Sequence, residues 1–224
     1  MTLTVLDDLL QGSEEWHDQR RGIVTASVVG KLITARTVAV AKNDDSRGLT
    51  AMLVAERITG HTDPIYVSDD MLRGHEDEPR AVEVYSEHYA PVTTTGFMVR
   101  TEPTWKLGYS PDGLVGDSGL IEVKSRRQKK QLTTILTDEV PVENMAQLQA
   151  GLLVSGREWC DYVSYCGGMP MYVKRVYPDQ RWHDAILAAV SAFEETAAEM
   201  VARYEAATVD LPKTERVVEM DMIL

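Results

Sequence analysis

The segment SPDGLVGDSGLIEVK, residues 110–124, decides the fold. Two short apolar runs flank the turn-forming GDSG at 116–119, the signature of a β-hairpin. A three-residue loop, residues 117–119 with Gly119 left-handed, sets Gly116 opposite Leu120, Leu114 opposite Glu122 and Asp112 opposite Lys124. Side chains alternate faces along a strand, so Asp112, Glu122 and Lys124 then project from one face. A two-residue loop would send the two acids to opposite faces, so a shared site demands an odd loop or a bulge.

Two carboxylates converging beside an apolar sheet repel each other, and burial makes the charged pair costly unless a cation joins them. A hard divalent ion answers this, and Mg²⁺ or Mn²⁺ suits carboxylate, carbonyl and water ligands. Lys124 stands two residues from Glu122, within reach of an attacking water or of charge developing on a phosphate. That constellation fits metal-assisted phosphodiester hydrolysis. The competing reading makes PDG an ordinary turn and leaves Glu122 and Lys124 on a solvated strand face.

Outside this segment the chain reads as one α/β domain, with a central mixed sheet flanked by helices. Its 224 residues suffice for one core, and 44% hydrophobic with 26% charged residues is an ordinary globular composition. No apolar run reaches the roughly 20 residues of a membrane span. The N-terminus lacks the features of a secretory signal, and two cysteines make no disulfide framework, so a cytoplasmic setting is expected. Patterning predicts two short helices within 13–34 joined at GIVTAS, with Thr25 or Ser27 as an N-cap, then a loop over 36–48. Helices follow over 49–60, 74–89, 128–137, 143–155 and 179–207. Strands are expected over 92–100, 105–109, 112–116, 120–124, 159–166 and 170–177. The core spans about 11–207, and the tail 208–224, ending in VVEMDMIL, has no clear pattern. NDDSRG at 43–48 starts like a calcium loop, but Val54 stands where the twelfth-position glutamate belongs.

The net charge of −12 excludes a broadly basic coat for nucleic acid, but local patches decide binding. KSRRQKK, residues 124–130, carries five basic residues in seven, and Arg20 and Arg21 form a second patch. The five histidines show no zinc-type spacing.

Four ordered blocks resemble the lambda-exonuclease-like, or YqaJ-type, phage recombination nucleases of the PD-(D/E)XK superfamily. They are QGSEEWHDQRRGIVTAS at 11–27, RGHEDEPRAVEVY at 73–85, the SPDG…GLIEVK core, and MAQLQAGLLVSG at 145–156. The resemblance implies a restriction-endonuclease-like fold and a role for each matching residue. Asp112, Glu122 and the Val123 carbonyl match the metal ligands, and Lys124 the catalytic lysine. Glu78 matches a helix glutamate near a second metal, with Glu76 and Glu83 as competitors. Arg20 matches the arginine that receives a DNA 5′-phosphate. An arginine fork suits that anion, and TAS opens a helix whose N–H groups favour it. Ser27 and Thr25 stand beside it, and Trp16 is placed to stack near the terminal base. Gln147 and Gln149 are about 200° apart on a helix, so one reaches the site. The resemblance favours Gln147. Arg126 and Arg127 are expected on DNA phosphates.

The expected activity is Mg²⁺-dependent 5′-to-3′ digestion of one strand of linear double-stranded DNA, leaving 3′ overhangs for recombination. Two ions are expected, with Mn²⁺ able to substitute. An endonuclease on the same core and a non-catalytic DNA-end-binding module are the alternatives. An iron–sulfur nuclease needs more than two cysteines. The resemblance further implies a homotrimer, a single-strand-annealing protein as partner, and a phage or prophage source in a bacterial host.

Overall fold

The apolar runs around the PD hairpin build a pair of four-stranded ladders, not one continuous sheet. The structure, a computed structural model, describes residues 2–64 and 66–216; the apolar end of the tail, residues 217–224, lies outside them. One ladder comprises β1 (Thr2–Leu6), β5 (Phe97–Glu102), β6 (Trp105–Tyr109) and β2 (Val24–Thr25), in the order β1-β5-β6-β2. The other comprises β7 (Gly113–Val115), β8 (Gly119–Ser125), β9 (Trp159–Tyr165) and β10 (Tyr172–Val176), in the order β10-β9-β8-β7. A small hairpin, β3 (Ile33–Thr34) with β4 (Ala39–Val40), stands apart. Both ladders are mixed, because β2 runs parallel to β6 and β8 parallel to β9. Parallel pairing needs a long crossover. Between β8 and β9 it is supplied by α5 (Gln128–Thr137) and α6 (Val142–Ser155).

Alternation along β8 serves two cores. Leu120 joins a cluster with Tyr109, Cys160 and Tyr162 beneath α6 and α7 (Gln180–Ala207). Ile121 and Val123 face the other way, onto Ala81 and Tyr85 of α4 (Asp69–His88) and Val163. Tyr85 fixes α4 further by donating to Asp161 of β9 at 2.6 Å. Asp161 is 3% exposed and is also gripped by Arg175 at 2.8 and 2.9 Å.

The polar stretch expected as a loop over 36–48 contains the start of a helix. Asn43 caps α3 (Asp44–Thr59), exchanging bonds with Ser46 in a capping box, and Gly60 closes the helix at φ 63°. That helix and α4 each begin five residues before the expected 49 and 74, on first turns rich in aspartate. Aspartate suits the positive end of a helix, so polar first turns read deceptively as loop. Residues 13–34 form the two expected short helices, α1 (Glu14–Arg20) and the four-residue α2 (Ala26–Val29), with the short strand β2 between them and a 3-10 turn, Gly30–Leu32, and β3 after them. The first part of the strand expected over 92–100 is irregular, apart from a bridge between Thr93 and Leu114.

Candidate active site

The hairpin loop has three residues, as a shared site demands, but its position differs from the expectation. Val115 pairs with Gly119 and Gly113 with Ile121, so residues 116–118 form the loop and Gly116, at φ 53°, takes the left-handed position. The register is two residues off and its parity is unchanged. Glu122 and Lys124 therefore keep a common face.

Strand β7 stops at Gly113, and among the described residues no strand pairs with the edge of β8 beyond it. Pro111 has no N–H to extend the ladder. The vacated Val123 N–H donates instead to Asp112 Oδ2, at 2.6 Å. A strand residue sends its N–H and C=O to the same side, so the Val123 carbonyl also leaves toward Asp112. Groups from both faces meet at this gap. Glu122, 1% exposed, accepts from Lys124 Nζ at 2.7 Å and from Gln147 of α6 on Oε1, and from the Tyr109 hydroxyl at 3.3 Å on Oε2. Glu78 of α4 lines the same cleft, about 340 Å³ in volume, together with Asp112, Glu122, Val123, Lys124 and Gln147.

The electrostatics mark a surplus of negative charge. Burial, then Glu122 and Glu78, hold the Asp112 carboxyl well above its ordinary proton affinity, against the pull of Lys124 and the Val123 N–H. Burial and then Glu122 likewise push Glu78 up. Burial pulls the Lys124 ammonium down, but Glu122 and Asp112 outweigh it and leave its pKa raised. Burial, then Glu122, raises the Tyr109 hydroxyl well above the usual range, so it remains a donor. Among the described residues no three His, Cys, Asp or Glu side chains close tightly enough to hold an ion unaided. The donor set still fits Mg²⁺, which takes one or two carboxylates and keeps several waters. It is all oxygen, and three acids crowd one ammonium.

The other end of the cleft is a cationic niche. Arg20 sits 3.9 Å over the Trp16 ring and donates to Ser110 Oγ at 3.4 Å and Ser27 Oγ at 3.3 Å. Thr25 Oγ1 lies 3.1 Å from Ser27 Oγ, and Trp16 Nε1 donates to Ser110 at 2.9 Å. Burial draws the Arg20 guanidinium down to about 10, with Glu56 opposing. Among the described residues no carboxylate lies within ion-pair distance of Arg20. Its immediate acceptors are hydroxyls, which can turn to donate to an anion.

The YqaJ-like viral recombinase domain matches residues 15–158, which contain every residue of both niches except Gln11. The chain belongs to that family. An alkaline exonuclease, LHK-Exo, from Laribacter hongkongensis is 32% identical, and the match covers 89% of this chain and 100% of that one at a TM-score of 0.78. The same exonuclease in complex with dAMP matches equally well. A phage-related exonuclease from Haemophilus somnus 129PT shares the fold at 12% identity, 81% and 96% coverage and a TM-score of 0.62. No curated protein sequence matches the chain. The fold is of the PD-(D/E)XK nuclease type, with PD ahead of β7 and E-x-K along β8.

Other expected residues lie outside the family's cleft. Arg126 turns inward, donating to Asn144 Oδ1 at 2.6 Å and to the Tyr162 hydroxyl at 3.1 Å, and so bolts the end of β8 to α6. Arg127 is exposed and paired with Asp70 at 2.7 Å. Gln149 is fully buried and bridges Tyr177 and Asp179 through their backbones, whereas Gln147 reaches Glu122. The helix that TAS opens is only four residues long, so its dipole adds little and the hydroxyls dominate the niche. Glu76 and Glu83 do not line the cleft; Glu78 does. Sequence reasoning missed Ser110, Tyr109 and His75, which also line it. Ser110 carried a signal, since it directly precedes PD.

Proposed function

We propose that this chain is a Mg²⁺-dependent exonuclease that digests one strand of double-stranded DNA from its 5′ end and leaves 3′ overhangs. The YqaJ-like family and the Laribacter relative support exonuclease chemistry. The observation that carries the finer reading is one continuous cleft, with Asp112, Glu122, Glu78 and Lys124 at one end and, at the other, an arginine that among the described residues has no carboxylate within ion-pair distance. A guanidinium fork whose acceptors are the Ser110 and Ser27 hydroxyls and not a carboxylate suits a terminal phosphate, which carries more charge than an internal diester. This favours DNA ends over the endonuclease alternative.

Asp112, Glu122 and the Val123 carbonyl would hold a first cation, with Glu78 serving a second; Mn²⁺ substitutes. When bound, the ion supplies charge stabilisation at the scissile phosphate and a more acidic water. Lys124, kept as an ammonium, donates to the attacking water or to a phosphate oxygen. Gln147 and Tyr109 hold the Glu122 carboxylate in one orientation, and Trp16 packs the arginine that receives the 5′ end. Family resemblance supports a ring trimer, an annealing protein as partner and a phage or prophage protein in a bacterial cytoplasm. Among the described residues no helix is long and apolar enough to cross a membrane.

The test is digestion of linear duplex labelled at either end, with 5′-phosphate or 5′-hydroxyl termini, with and without Mg²⁺. Mg²⁺-dependent loss of the 5′ label, faster from phosphorylated ends and abolished in Asp112→Asn, is expected. Cleavage of closed circles at a comparable rate, or digestion by Asp112→Asn like wild type, rejects the reading.

A further inference from the structure

Glu56 is a buried acid that the chemistry above does not use. It lies on α3, 7% exposed, and its Oε2 accepts the Gly22 N–H at 2.7 Å. Among the described residues no cation lies within ion-pair distance of it. A buried carboxylate without an ion-pair partner is costly, so its retention calls for a reason. Its neighbour Arg57 grips the other polar group of the same glycine, donating from Nε to the Gly22 carbonyl at 2.5 Å. Arg57 is locked in turn by a two-bond pair with Glu194 of α7, at 2.7 and 2.8 Å. Gly22 is left-handed, at φ +68°, and a Cβ there would stand 2.5 Å from Arg57 Cγ. The turn two residues after Arg20 is thus held on both sides by α3.

We propose that Glu56 is the positioning residue for Arg20 in end recognition: it anchors the turn that carries the guanidinium and sets a counter-charge behind it, out of contact. This rests on the terminal-phosphate reading of the Arg20 niche. A carboxylate in contact would occupy the fork that must bind phosphate. A carboxylate behind the turn offsets the cost of burying the guanidinium while its donors rest only on the Ser110 and Ser27 hydroxyls, which a phosphate can displace. Glu56 also supports the charged state of Arg20, acting against burial.

The experiment compares 5′-phosphorylated with 5′-hydroxyl duplex ends, as kcat and KM, for wild type, Arg20→Ala, Glu56→Ala and Glu56→Gln, with a melting curve for each. Glu56→Ala should cut the preference for phosphate about tenfold, the scale of one charge-assisted hydrogen bond, through KM. Its rate on hydroxyl ends should stay near wild type. Glu56→Gln keeps an acceptor for Gly22 and removes a negative charge, so its phosphate preference should hold or rise. If Glu56→Ala does not fold, Glu194→Gln loosens the same turn from the far side of Arg57 and should show a smaller loss in the same KM. Equal losses on both kinds of end, tracking the melting temperature, would reduce Glu56 to a structural residue and overturn the inference. Arg20→Ala separates the two claims. If it leaves the preference intact, the terminal-phosphate reading fails; if it abolishes the preference while Glu56→Ala spares it, only the inference fails.

Discussion

Replacing Gly151 by alanine should disable the site with little effect on the fold. Gly151 lies on α6 where that helix crosses the Tyr109 ring. A Cβ there would stand 2.7, 3.0 and 3.1 Å from three ring carbons, against about 3.4 Å for ordinary contact. Tyr109 is 1% exposed and cannot swing aside. The helix or the ring must therefore move by about 0.7 Å, the difference of 3.4 and 2.7. Both carry donors to Glu122: Tyr109 directly, and α6 through Gln147 one turn earlier. Alanine favours a helix by about 1 kcal/mol, and overpacking costs about 1–3, so the net loss of stability is about 0–2 kcal/mol. A misplacement near 1 Å costs about 100-fold in rate, so a fall of about 10–100-fold in kcat is expected. Single-turnover digestion of linear duplex at saturating Mg²⁺, beside urea unfolding, measures both. A folded Gly151→Ala protein with kcat within about twofold of wild type would refute the claim that Tyr109 and Gln147 hold Glu122 in its working geometry.

Three further perturbations test the supports. Tyr85→Phe removes one donor from the buried Asp161 and should cost about 1.5–3 kcal/mol in urea unfolding; no change would mean that this bond does not anchor α4. Asp112 and Glu78 have raised folded pKa values, so their contribution to stability is full below the unfolded carboxylate value near 4 and is lost as pH rises through the folded values. The rise in Tm on adding Mg²⁺ should therefore be larger at about pH 8 than at about pH 5, and an equal increment at both would contradict the charge surplus. Arg126→Ala should lower Tm by unbolting β8 from α6, whereas Arg127→Ala should leave Tm unchanged and weaken DNA binding mainly at low salt; the reverse pattern would exchange their roles.

The candidate site was legible in the sequence because its acids and lysine share one hairpin, where period-two alternation ties spacing to face. The register was not legible, since loops over 116–118 and 117–119 both preserve parity and only packing chooses between them. Short-range patterning located α5, α6 and α7 closely. It missed β1, which is mostly exposed and pairs with β5 far along the chain. A basic run such as KSRRQKK reads as surface charge, and nothing local shows that Tyr162 and Asn144 draw Arg126 inward. Tyr109 and Ser110 entered the site through tertiary contacts with Glu122, Trp16 and Arg20, which composition cannot report.

The central claim is that Asp112 and Glu122 share a divalent cation at the unpaired edge of β8. Calorimetric titration of Mn²⁺ into the DNA-free protein and into folded Asp112→Asn tests it without relying on activity. Saturable binding by the first and its loss in the second is the predicted result. Equal affinity in both would contradict the account.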